Sequence, residues 1–135
     1  MKYLLDPNIC AFYLRGNLAV RNKMYQVGCE NLFISEITAL ELLYGAANSL
    51  HIDKKLNEVN HFVSHLQVLP VHPTPLQFAT EKMRLNKLGT PLENFDLLIG
   101  ITAVHHNMTM VTNNSNHLSR LKNIVLEDWT KLVKK

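Results

Sequence analysis

Three carboxylates stand out in this chain because each interrupts an apolar stretch. Asp6 immediately follows Tyr3-Leu4-Leu5, Glu41 sits among Leu40, Leu42 and Leu43, and Asp96 opens the run Leu97-Leu98-Ile99-Gly100-Ile101. Singly, each has an ordinary account. Asp6 suits a turn or helix cap, Glu41 a polar helix stripe, and Asp96 the positive end of a helix dipole. Together they imply more. Three acids gathered at one place repel one another unless a cation offsets the charge, and oxygen ligands select Mg²⁺, Mn²⁺ or Ca²⁺ over zinc. Mg²⁺ takes one or two carboxylates and completes its shell with water and phosphate oxygens, the arrangement that suits phosphodiester hydrolysis.

The elements that must position these acids alternate along the chain. Strands are expected at Tyr3-Leu4-Leu5, Leu32-Phe33-Ile34, Val68 to Val71, Met108 to Thr112 and Val125-Leu126, with Pro70 putting the third at an edge or a strand end. Helical spacing covers Ile9 to Gly16, Leu18 to Val27, Ile37 to Asn48 and Ile52 to Leu66. Thr74-Pro75-Leu76-Gln77 reads as a helix start with a capping box, running to about Leu88 and stopped by Gly89. A buried helix follows over 96–104, then a polar turn at Asn113 to Asn116. Such alternation favours a parallel sheet covered on both faces, with its site at the carboxyl edge.

Composition sets broad limits. The 135 residues suit a single domain over 1–135, and 47% hydrophobic with 19% charged residues permits a core without staples. A net charge of +3 with seven histidines is compatible with a polyanionic partner. Cys10 and Cys29 form no C-x-x-C pair, which argues against zinc or redox chemistry. With no apolar run long enough for a membrane helix and no signal-peptide pattern at the start, a soluble cytoplasmic protein is expected. No G-x-G-x-x-G follows the first strand, against dinucleotide binding. A receiver-like signalling domain is disfavoured because its early acidic pair is missing.

Four motifs, in order, resemble the PIN-domain ribonucleases, and most closely the toxin half of bacterial VapBC toxin–antitoxin pairs. They are Y-L-L-D-P-N-I at 3–9, I-S-E-I-T-A-L-E-L-L-Y-G at 34–45, D-L-L-I-G-I-T-A at 96–103 and V-T-N-N at 111–114, with L-E-D-W at 126–129 near the end. The resemblance implies a three-layer α/β/α fold with a mainly parallel sheet. It makes Asp6, Glu41 and Asp96 metal-binding catalytic acids, with Asn113 or Asn114 as a fourth polar position, Asn114 being favoured. Thr38 and Thr112 match hydroxyl positions that support the acids or a metal water. The implied activity is Mg²⁺-dependent endoribonuclease cleavage of RNA, with Mn²⁺ as a substitute ion. The implied partners are a VapB-type antitoxin and a second copy of the chain. Three positions depart from the pattern: Pro7 replaces a Thr or Ser, the loop Thr90 to Phe95 differs, and His117 stands where many relatives carry an acid. The alternative they motivate is a PIN module that binds RNA or protein without cleaving it.

Other residues carry weaker readings. His61 and His65 have metal-gripping spacing without an accompanying H-E-x-x-H and read as a surface face; His105-His106 suits a helix end. Among Arg15, Arg21, Lys23, Arg84, Lys87, Arg120 and Lys122, Arg15 and Arg120 are the candidates for phosphate contact, from their closeness to Asp6 and Asn114.

Overall fold

The computed structural model describes residues 1–71 and 74–131. Its strands are β1 (Tyr3–Leu5), β2 (Leu32–Ser35), β3 (Gln67–Leu69), β4 (Thr109–Val111) and β5 (Leu126–Glu127). They form one sheet in the order β3-β2-β1-β4-β5, and every pairing is parallel. The helices are α1 (Pro7–Leu14), α2 (Leu18–Val27), α3 (Glu36–Ala47), α4 (Ile52–Ser64), α5 (Pro75–Lys87), α6 (Asn94–His105) and the short α7 (Ser115–Leu118), with a 3-10 turn at Cys29–Asn31. None is long and apolar enough to cross a membrane.

The strands alternate their side chains between two cores, which makes three layers. Leu5, Leu32, Ile34 and Val111 face one cluster with Ile9, Cys10, Val20, Met24 and Phe62 from the first four helices. Leu4, Phe33 and Met110 face the other, with Leu85, Leu97, Ile99, Leu118 and Leu121. Because β1 is central and fully apolar, it is buried on both faces. The chain winds outward from β1 to β3, then returns to add β4 and β5 on the other side. That reversal leaves a crevice at the carboxyl ends of β1 and β4, where polar groups can sit without breaking the sheet. Close packing holds α6 in the second core: a Cβ at Gly100 would run into the Leu121 side chain, so only glycine admits this approach without displacing it.

Two local expectations fail for tertiary reasons. Thr74 caps nothing with its side chain; its hydroxyl donates to the Val71 carbonyl at 2.8 Å. Gln77 pairs with His105 Nδ1 at 3.1 Å, so the capping box is replaced by a tie between α5 and α6. Of the segment expected as a turn at Asn113 to Asn116, Asn113 and Asn114 stay non-helical while Ser115 and Asn116 open α7, because Leu118 and Leu121 are drawn into the second core. Pro70 follows β3, an edge strand as expected.

Candidate active site

Asp6 leaves β1 and caps α1. Its Oδ1 accepts the Ile9 N–H at 2.8 Å, while Pro7 occupies the first helical turn, where a missing N–H breaks no helix bond. The Asp6 backbone N–H is held by the Val111 carbonyl at 3.0 Å, which ties the ends of β1 and β4 together. On β4's side, the Thr112 hydroxyl accepts the Asn114 N–H at 3.0 Å and hydrogen-bonds the Asp6 carboxylate. Only 4% of Asp6 is exposed. Burial, with a smaller push from Asp96, lifts its pKa to about 6 against the opposing hydrogen bonds from Thr112 and Ile9.

Glu41 reaches the same place from α3, whose start is fixed by the Ser35 hydroxyl accepting the Ile37 N–H at 3.1 Å. Burial raises its pKa, and the charges of Asp96 and Asp6 raise it further. Asp96 comes from the first turn of α6; burial and then Glu93 raise its pKa, while His117 pulls it down. Three carboxylates from three elements thus feel one another's charge at one sheet edge. Among the described residues, no three His, Cys, Asp or Glu side chains close tightly enough to enclose an ion by themselves. The acids form an open mouth, which suits an ion that keeps water and takes phosphate oxygens more than a caged structural metal.

Beside this mouth lies a groove of about 870 Å³ lined by Glu41, Asp96, Asn114 and His117, with Lys82 and Asn86 from α5 and Phe95 from α6. Asn114 lines it, whereas Asn113 is exposed and does not. The Asn114 side-chain oxygen pairs with His117 Nδ1 at 2.7 Å, fixing the imidazole on the rim. Asp6 does not line the groove. Thr38, one helical turn before Glu41, is fully buried, and its hydroxyl has no hydrogen-bond partner. Arg15 lines a neighbouring groove that also reaches Glu41. Arg120 instead bonds the Pro91 carbonyl at 3.2 Å. Arg84 is committed to Glu81 at 2.6 and 2.7 Å and to the Arg120 carbonyl at 2.9 Å, which removes it as a phosphate ligand. His61 on α4 and His65, the residue that caps its end, meet edge to face beside an apolar groove that none of the three acids lines.

Lys82, Asn86 and Glu93 escaped the reading of the sequence. A signal existed for the first two: Phe78, Lys82 and Asn86 recur at four-residue spacing and share a face of α5. Glu93 had none, since only the approach of its loop to Asp96 gives it meaning.

Comparisons with known proteins bear on the same region. The family model for the PIN domain matches residues 3–124. The tRNA(fMet)-specific endonuclease VapC of Salmonella typhimurium is 33% identical, over 96% of this chain and 98% of its own length. Ribonuclease VapC2 of Rickettsia felis is 31% identical, over 97% of this chain and 100% of its own. Among solved structures, DNA-bound VapBC from Salmonella typhimurium superposes with a TM-score of 0.89 at 31% identity, covering 96% of this chain and 98% of that one.

Proposed function

Because this chain belongs to the PIN-domain family, and within it to the VapC group, we propose that it is a Mg²⁺-dependent endoribonuclease, the toxin of a toxin–antitoxin pair. The observation that carries the reading is the gathering of Asp6, Glu41 and Asp96 at the sheet's switch point with their pKa values all raised and no lysine or arginine among the groups that shift them. Carboxylates kept together at such cost ask for a cation from outside the chain.

The donor set fits a hard divalent ion: three carboxylates, with the Asn114 amide in the groove that Glu41 and Asp96 line. Asp6, Glu41 and Asp96 would hold it, with Mn²⁺ able to replace Mg²⁺. When bound, the ion supplies Lewis-acid activation of the phosphate and of the attacking water. The protein's own share is positional. Ile9 N–H and the Thr112 hydroxyl lock the Asp6 carboxylate, so it need not reorganise when an ion arrives. The helix dipole of α6 favours the ionised form of Asp96. Asn114 holds the His117 ring on the rim of the groove.

Incubation of structured RNA with the protein and Mg²⁺ or Mn²⁺, beside Asp96→Asn, tests the proposal. Cleavage by the wild type alone supports it, and equal cleavage by both defeats it. Two relatives are named for tRNA(fMet), which makes that RNA the first substrate to try. A binding module without activity is the second reading; Pro7 and His117 favour it, and RNA binding without any cleavage would establish it.

The partner is a VapB-type antitoxin, in keeping with solved relatives that are VapBC complexes. A homodimer is expected in solution. Light scattering that gives a monomer at micromolar concentration would refute it.

A further inference from the structure

His61 and His65 play no part in the acid site, yet their pairing has a definite geometry. They stand four residues apart at the end of α4, both exposed, with ring centres 4.7 Å apart. Side chains at that spacing share one helical face, one above the other. Two imidazoles bound to one ion require a similar separation. With metal–nitrogen bonds of about 2.1 Å and ring nitrogens about 1.1 Å from the ring centre, each centre stands about 3.2 Å from the ion. Angles between square and tetrahedral then place the centres about 4.5 to 5.2 Å apart. The observed separation of 4.7 Å falls inside that span.

The tautomer is set as well. His65 Nδ1 lies 2.8 Å from the His61 carbonyl oxygen. A carbonyl only accepts, so Nδ1 carries the proton and Nε2 of the neutral ring keeps its lone pair. Metal-bound imidazoles are held in this way, the second nitrogen donating to a carbonyl or carboxylate. The surrounding charge agrees. Glu58, one turn earlier on α4, lines the same groove of about 540 Å³ as the two rings. Arg21 lines it too but is turned to Tyr13, donating to its carbonyl at 2.9 Å and lying over its ring. We infer that His61 and His65 form a second metal site, a two-imidazole chelate for a borderline divalent ion: Zn²⁺, Cu²⁺ or Ni²⁺. Imidazole suits these ions, whereas Mg²⁺ and Mn²⁺ go to oxygen. Among the described residues no third His, Cys, Asp or Glu closes on the pair, so water completes the shell. None of the three acids lines this groove, and the site stands independently of them.

Calorimetric titration of the full chain with Zn²⁺, in a buffer holding Mg²⁺ in excess, tests the site. The wild type should take up one Zn²⁺ that Mg²⁺ does not displace. His61→Gln and His65→Gln each remove one imidazole from an exposed position, which spares the core. Each should weaken zinc binding about 10-fold or more, since even an outer-shell partner of a metal ligand is worth that much. Asp96→Asn, in the acid site, and Cys29→Ser, in the same groove as the imidazoles, should keep the affinity within about twofold. In proton NMR, the ring signals of two of the seven histidines should move on adding Zn²⁺ and the rest should stay. The site is overturned if the wild type takes up no zinc or if either glutamine variant keeps its affinity. Loss of zinc binding in Asp96→Asn or Cys29→Ser overturns it too, by assigning the ion to the acids or to the thiol. Shifts at His105, His106 or His117 in place of His61 and His65 do the same. RNA cleavage by the wild type is a separate readout, and it alone decides the nuclease reading.

Discussion

Two acidic regions of this molecule stand on either side of α5 and obey opposite rules. Glu81 is largely buried, yet its pKa is lowered: Arg84 grips both its oxygens and the Lys122 N–H donates to it at 2.8 Å. The carboxylates of Asp6, Glu41 and Asp96 are also partly or wholly buried, and theirs are raised, first by burial and then by neighbouring carboxylates, with no lysine or arginine among the described residues that shift them. A carboxylate that serves the fold brings its own counter-charge. One left without is arranged for something the chain does not supply. The difference separates an acid paired within the fold from acids left without a counter-charge, where burial alone would not.

The comparison breaks most visibly in activity. Asp96→Asn should lower cleavage by more than about 100-fold, above the usual loss for removing even an outer-shell metal partner, with the fold unchanged by circular dichroism. Adding Mg²⁺ should raise the melting temperature of the wild type and not of this variant, since only a protein that binds the ion gains stability by mass action.

Stability should then move in opposite directions in the two regions. The rise of the Asp6 pKa from 3.8 to about 6 corresponds to about 3 kcal/mol. A group whose folded value is raised contributes its stability fully below its unfolded value, and that contribution is lost as pH rises through about 6. Asp6→Asn keeps a capping oxygen for Ile9 but removes the charge. In EDTA at pH 8 it should be more stable than the wild type by up to about 3 kcal/mol, the gap closing toward pH 4. Denaturant titration at the two pH values checks this, and a less stable Asp6→Asn at pH 8 would contradict it. Asp96→Ala in EDTA should likewise gain rather than lose melting temperature.

Glu81→Gln should do the reverse, costing about 1–2 kcal/mol through lost charge-assisted hydrogen bonds. Its lowered pKa means that this contribution is present above the unfolded value and fades as pH falls through the folded one. Equal denaturation midpoints for Glu81→Gln and wild type at pH 7 would remove the contrast. The smallest effect is expected from Pro7→Thr. Activity should stay equal or rise, as the added hydroxyl and N–H lie beside Asp6; a clear loss in initial rate would mark Pro7 as an adapted part of the site.

Legibility in the sequence followed the range of the interactions involved. Tyr3-Leu4-Leu5 before Asp6-Pro7 announces a buried strand, a cap and a helix start within seven residues, and the structure has all three. The helix at Leu18–Val27 was readable to its ends, with Gly28 as stop, and the structure adds Asn17 as its cap. The capping box at Thr74 was readable too, and misleading, because His105 on another helix competes for Gln77. The triad of acids could be named from motifs. That Asn114 rather than Asn113 lines the groove, and that Arg84 is spent on Glu81, depended on which side chains meet after folding.

By itself, the sequence determined the strands, most helix ends and the identity of the acids, since apolar period and capping act over a few residues. Tertiary structure alone decided what those acids experience. Their burial, their mutual repulsion and the Phe95–Lys82–His117 wall arise from elements tens of residues apart, brought together by the reversal of the winding at β1. Electrostatics and desolvation depend on distance through space, and no local pattern encodes that.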